Sequence, residues 1–347
     1  MTDGFESGTT SEGITRRRFS GGMVARAALA RAALAGAAGV AMPYVARAQT
    51  YPNRSVRFII PFAAGGVADV TARLTAEKLG DKLGQRLVIE NMPGPGGIAA
   101  GRVIATAAPD GHTLGLLTNG TAISVALYKS LPFDPVKAFG AISALGSFDL
   151  IFATSADSQF RNLADFLKVA REQPGKLNVG TIAVGSTQNF GAELLKSQAG
   201  IDVQIVPYRT TPDVVIALLR NDIALMCDFY AGMKSQLLEG KFRGVGSSGL
   251  ARTPFLPDVP PVAEAGVPGY EVASWNAICA PAGVPASVVG VLNRHLRDIL
   301  ATPDIKSKYA ELGIEAKASS PEELNARFLA DIRKWSELIE RVGIAKL

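Results

Sequence analysis

Three segments of this 347-residue chain place glycine and small neutral donors directly behind an apolar run. Pro61-Phe62-Ala63-Ala64-Gly65-Gly66 closes the run that begins at Val56. Thr118-Asn119-Gly120-Thr121 closes the run from Thr113, and Ala183-Val184-Gly185-Ser186-Thr187-Gln188-Asn189 follows the run from Leu177. Glycine lets backbone come close to a ligand, and a helix opening after such a loop presents unpaired N–H groups at its positive end. With hydroxyl and amide side chains added, the chemistry on offer is capture of an anionic, oxygen-rich group such as a carboxylate, without a cation. Plainer roles stay open. Asp69, in the first turn after the first loop, can cap the helix or complement its dipole, and Ser186 or Thr187 alone suffices as a cap. Four polar side chains in a row, 186–189, exceed what one cap needs.

Residues that would carry a reaction are harder to find. Gly246-Ser247-Ser248-Gly249 lacks the G-x-S-x-G spacing of a nucleophile elbow, and no serine has an adjacent histidine as base. No phosphate loop of the G-x4-G-K-[ST] form occurs. Gly94-Pro95-Gly96-Gly97-Ile98-Ala99 matches a dinucleotide pattern formally, but its prolines make it a rigid turn and no acidic residue follows at ribose distance. His112 and His295 are isolated, and no Cys/His cluster has zinc spacing. The expectation is a binding protein with no catalytic residues, no cofactor and no metal. Cys227 and Cys279 lie in apolar runs and read as buried free thiols, although an oxidising compartment would permit their pairing.

The elements that must position these loops alternate. Strands are expected at 56–61, 87–90, 113–118, 150–153, 177–182, 203–206 and 223–227. Helices are expected at 67–83, 98–107, 163–173, 189–199 and 212–219. Two further helices close the chain, the second opened by the capping box Ser320-Pro321-Glu322-Glu323 with an apolar stripe of Leu324, Phe328, Ile332, Trp335 and Ile339. Strand–loop–helix units of this length imply α/β architecture, and the restart of the pattern near 150 implies two lobes with a ligand cleft between them.

Charge adds an address. The chain carries 36 Lys+Arg against 31 Asp+Glu, a formal +5. The first 48 residues hold Arg16, Arg17, Arg18, Arg26, Arg31 and Arg47 against Asp3, Glu6 and Glu12, so the remainder is nearly balanced. No basic run is interleaved with aromatics, so nucleic acid is not an expected partner. Thr15-Arg16-Arg17-Arg18-Phe19 resembles a twin-arginine export signal, and Ala46-Arg47-Ala48 has the form of a signal-peptidase site. Residues 1–48 are therefore expected to be removed, leaving a periplasmic chain.

Longer motifs run through the rest. Tyr51-Pro52 with Gly65-Gly66-x-x-Asp69, Glu90-Asn91-x-Pro93-Gly94-x-Gly96-Gly97, Ala108-Pro109-Asp110-Gly111-x-Thr113 and Leu131-Pro132-Phe133-Asp134-Pro135 come first. Val206-Pro207-Tyr208, Leu256-Pro257-Asp258-Val259-Pro260, Glu264-Ala265-Gly266 and Ala280-Pro281-Ala282-Gly283 follow. In order and spacing this resembles the Bug-type (TctC-like) solute-binding proteins, the extracytoplasmic receptors of tripartite tricarboxylate transporters. The resemblance implies a two-lobed periplasmic-binding-protein (Venus flytrap) fold, each lobe a doubly wound, mostly parallel sheet. Lobe 1 would comprise 49–150 and 275–347, and lobe 2 would comprise 151–274. It implies a monomer that closes on a small organic acid (mono-, di- or tricarboxylate, or aromatic) and docks with large and small membrane permease subunits.

Carried over by position, the ligand would meet Phe62, Ala63, Gly65, Gly66, Asn119, Thr121, Gly185, Ser186, Thr187, Asn189 and Asp228. Tyr208 would line the wall, as would Trp275 unless it only packs between the lobes. Several positions depart from the family pattern, among them Asn189 where many relatives carry histidine, Arg209-Thr210 after Pro207-Tyr208, and Cys227 before Asp228. Arg209 is either a partner for a second carboxylate or a solvated loop arginine. A sensor receptor with a signalling partner, and an exported enzyme using the same cleft, are the alternatives to transport.

Overall fold

The computed structural model describes residues 51–347, so the expected export signal lies outside the described residues. The chain opens with β1 (Val56–Ile60), α1 (Val67–Leu83), β2 (Leu87–Asn91), α2 (Ile98–Ala105), β3 (Thr113–Thr118), α3 (Asn119–Leu127) and the single turn α4 (Pro135–Ala138). The long β4 (Phe139–Ser155) leads into α5 (Leu163–Glu172), β5 (Asn178–Ile182), α6 (Thr187–Ala199), β6 (Gln204–Tyr208) and α7 (Thr211–Leu219). Then come β7 (Leu225–Phe229), α8 (Tyr230–Leu238), β8 (Phe242–Ser247) and β9 (Ala273–Pro281). The chain ends with α9 (Ala286–Ala301), α10 (Pro303–Ala310), β10 (Glu315–Ala316) and α11 (Pro321–Val342).

Local chemistry accounts for the helix ends. Gly84 and Gly343 close α1 and α11 with left-handed φ of 66° and 71°, where a side chain would be strained. Ser320 and Glu323 form the expected reciprocal cap of α11. That helix buries Leu324, Phe328, Trp335, Leu338 and Ile339, which differs from the expected stripe in replacing Ile332 by Leu338. Three helices, not two, follow β9, because Thr302-Pro303 stops one helix and caps the next.

The strands order as β2-β1-β3-β9-β4-β7-β5-β6, with β10 and β8 paired to β4. Two triplets, β2-β1-β3 and β6-β5-β7, are parallel, as their helical crossovers require. The middle is antiparallel: β9 pairs with β3 and with the first half of β4, while the second half of β4 pairs with β7 and β8. The sheet is mixed because one 17-residue strand serves both triplets. It bends through register shifts at Ala141/Ser143 and Ala144/Gly146. Gly146 permits close passage there, since a Cβ on it would lie 2.7 Å from the Glu315 carbonyl oxygen.

Candidate functional site

Register places the loops. β3 is antiparallel to β9, which is antiparallel to β4, so β3 runs with β4 and ends where Thr118 faces Asn276 and Asn276 faces Gly146. β7 runs against β4 and ends with Phe229 facing Leu150. The two triplets therefore aim their C-terminal ends at each other across the Gly146–Leu150 stretch of β4. In α/β sheets that is where ligands bind. Every candidate from the sequence except Trp275 lies at one of these ends.

On the first triplet, the loop after β1 is tied from behind. Asp69 Oδ2 accepts from the Gly65 amide at 2.9 Å and from Arg73 Nε at 2.9 Å, while its Oδ1 accepts from Asn91 Nδ2 at 2.9 Å. Asn91 also donates to the Phe62 carbonyl at 3.0 Å. Burial works against the Asp69 charge, but these hydrogen bonds and the arginine outweigh it and hold the carboxyl below its ordinary value. Asp69 thus organises the loop, and the Gly65 amide is spent on it. The N-cap of α1 is Gly66, which brings no capping side chain. The Val67 and Ala68 amides then have no acceptor among the described residues. Phe62 and the glycines stand exposed, and Ala63 with them.

On the second triplet, each polar side chain of the loop after β5 has an internal partner. Ser186 Oγ caps α6 by accepting from the Asn189 amide at 3.1 Å and donates to the Ile182 carbonyl. Asn189 Oδ1 accepts from the Gly185 amide, and its Nδ2 donates to Thr181 Oγ1. Gln188 Nε2 donates to Asp228 Oδ1 at 2.8 Å. Thr187 Oγ1 accepts from Asn119 Nδ2 at 3.1 Å, which joins this loop to the start of α3. Gly185 packs against α3 as well: a Cβ on it would lie 3.2 Å from Leu127. Ser186→Ala is expected to lower the unfolding free energy by about 1 kcal/mol, and Ser186→Gly by only a few tenths. Denaturant titration reads both.

The remaining candidates divide. Thr121, half-buried, accepts weakly from the Thr118 amide at 3.5 Å and keeps its hydroxyl proton for another partner. Asp228 is buried, receives Thr211 Oγ1 at 2.6 Å, Gln188 and the Phe229 amide, and faces no cation. Burial pushes its carboxyl up despite these donors. Tyr208 ends β6 half-buried beside Ile182. Trp275 is fully buried, donates to Asp331 at 2.6 Å and carries Arg327 over its ring, so it is core rather than wall. Arg209 is exposed. Cys227 and Cys279 are free and buried, and burial pushes the Cys279 thiol up to about 12. Sequence reasoning gave no role to Asn91, Arg73 or Thr211 and read Trp335 only as core, because their partners come from distant segments or a neighbouring turn.

Among the described residues no group of His, Cys, Asp and Glu could hold a metal ion, and no helix is long and apolar enough to cross a membrane. Glycine-bearing loops at opposed strand ends are the arrangement of the periplasmic-binding-protein fold. The chain belongs to the tripartite tricarboxylate transporter receptor family (TctC), whose model matches residues 71–344. Its structure is similar to Rpa4515 of R. palustris with adipate (TM-score 0.79, 32% identity, 86% of this chain and 100% of that one). It is also similar to MatC from Rhodopseudomonas palustris with bound malate (0.74, 31%, 83% and 100%) and to the periplasmic binding protein BugD (0.76, 30%, 86% and 100%).

Proposed function

We propose that this protein is a periplasmic receptor that closes two lobes, 49–150 with 275–347 and 151–274, on a small organic acid. It then delivers that acid to a tripartite tricarboxylate-type membrane transporter. The observation that carries the reading is the open end of α1, where Val67 and Ala68 offer unaccepted amides toward the facing triplet. A helix end of this kind stabilises negative charge without a side-chain cation. Relatives with adipate and malate support the same chemistry. The ligand would lie between the loops of Phe62–Gly66 and Gly185–Asn189, with Asn119 and Thr121 beside it and Asp228 and Tyr208 across from them. Closure would hide the acid from water, and the closed form would be the one the permease recognises.

Thermal shifts with mono-, di- and tricarboxylates, aromatic acids and their neutral amides test this. At a hundredfold excess over Kd a bound acid adds about 2.7 kcal/mol, a rise of several degrees. If the neutral amides stabilise the protein and no acid does, the reading fails.

A further inference from the structure

The two triplets carry the same clamp in different charge forms. In each, a glycine sits in left-handed backbone just before the helix N-cap, at Gly65 (φ 88°) and Gly185 (φ 84°). In each, the third helical residue accepts that glycine's amide: Asp69 for Gly65 at 2.9 Å and Asn189 for Gly185 at 3.4 Å. The N-caps Gly66 and Ser186 correspond, and so do the strands, since β2 follows β1 as β6 follows β5 in parallel register. The same hydrogen-bonding shape is thus made once by a carboxylate and once by an amide.

One helical turn further on, the two differ again. Arg73 follows Asp69, with Nε on its Oδ2 at 2.9 Å and Nη2 on Asn91 Oδ1 at 2.9 Å. Glu193 stands at the matching place after Asn189. A buried carboxylate one hydrogen bond behind a loop that receives an anion would repel it, because Coulomb interactions between close, poorly solvated charges are strong. At the clamp position itself, the carboxylate Asp69 is faced by an arginine and the amide Asn189 is not; Asp228, which Gln188 reaches from the second loop, is held by neutral donors alone.

We propose that Arg73 is an electrostatic positioning residue of the ligand site: Asp69 sets the Gly65–Gly66 loop, and Arg73 cancels its charge so that the loop can take a carboxylate. This rests on the organic-acid reading of the site. It assigns a cation to a site whose glycine loops carry no cation of their own, placed behind the loop instead of against the ligand.

The experiment is titration calorimetry of full-length protein with the acid that most stabilises the wild type, run beside a melting curve for each variant. Arg73→Gln keeps a donor for Asn91 but leaves Asp69 unbalanced, and affinity is expected to fall about tenfold. Asp69→Asn added to Arg73→Gln copies the Asn189 chemistry, and most of the loss is expected to return. Asn189→Asp, with Glu193 behind it, is expected to weaken binding about tenfold or more while the fold persists. Equal affinity of Arg73→Gln and wild type overturns the inference, as does a double variant that binds no better than Arg73→Gln. A wild-type protein that no acid stabilises instead overturns the organic-acid reading itself.

Discussion

Asn119→Leu is expected to lower the unfolding free energy by about 2–4 kcal/mol and to remove acid binding. Leucine nearly conserves volume, so little of the effect comes from a cavity. Asn119 is fully buried at the first position of α3, where its Oδ1 accepts from Trp335 Nε1 at 2.9 Å and its Nδ2 donates to Thr187 Oγ1 at 3.1 Å. One amide therefore joins three helices, α3, α6 and α11. Substitution strands the indole N–H in an apolar surround beside Phe190, whose ring meets Trp335 edge-on with centroids 5.8 Å apart. Leaving a buried donor unpaired costs about 1–3 kcal/mol, more than the net worth of the bond itself. Trp335→Phe removes the donor together with its need, so the double variant should show a coupling of about 1 kcal/mol in a mutant cycle read by urea denaturation. Strictly additive energies would sink the bridge. Binding suffers for a separate reason. Thr187 and the α3 start are both at the proposed ligand position, and the bridge is what fixes one against the other.

That bridge also marks where sequence reading stops. The alternation of strand and helix was legible in the pattern, and each of the seven strands and five helices given ranges by apolar spacing overlaps an observed element. The loops were legible too, because glycine and small polar residues after a buried strand have few other uses. Contacts were not. Trp335 and Asn119 are 216 positions apart, and nothing local in Leu324–Ile339 distinguishes an indole that only packs from one that donates. The run 186–189 reads as a surplus of donors, yet all four side chains turn to internal partners, so what is left open at these helix starts is backbone amides.

Several elements escaped, β8 and β9 among them, and three did so for identifiable reasons. The first half of β4, from Phe139 to Asp149, carries glycines, small residues and two register shifts, which blur the period-two pattern. Helices α3 and α8 begin on the residue after a strand, at Asn119 and Tyr230, with a glycine in the first turn and no intervening loop to signal a change. Asp69 was legible only as a choice between cap and contact. Its oxygens are taken up by the Gly65 amide, Asn91 and Arg73, a role that a local reading of the first helical turn does not offer.

Asp149→Asn is expected to stabilise the protein at pH 7 by up to about 3 kcal/mol and to leave it unchanged near pH 4. Asp149 sits on β4 opposite Ala273, one residue before Leu150 turns to face Phe229, so it occupies the step at which the strand passes from one triplet to the other. Its carboxyl lies against Gly249, where a Cβ would come within 2.3 Å of Oδ2. Burial pushes the group up to about 6, and the nearby charges of Glu271 and Glu315 push in the same direction. The folded state therefore holds a proton that the unfolded chain, with its ordinary carboxyl value near 3.8, gives up earlier. Between pH 4 and 6 the native state binds more protons, so stability falls as pH rises through that window and stays reduced above it. Asparagine removes the titration while keeping the shape. Urea denaturation of both proteins at pH 4, 5, 6 and 7 should show curves that meet at the acid end and separate by pH 6. A gap of constant size across that range would mean that the carboxylate is not what the Gly146–Leu150 junction resists.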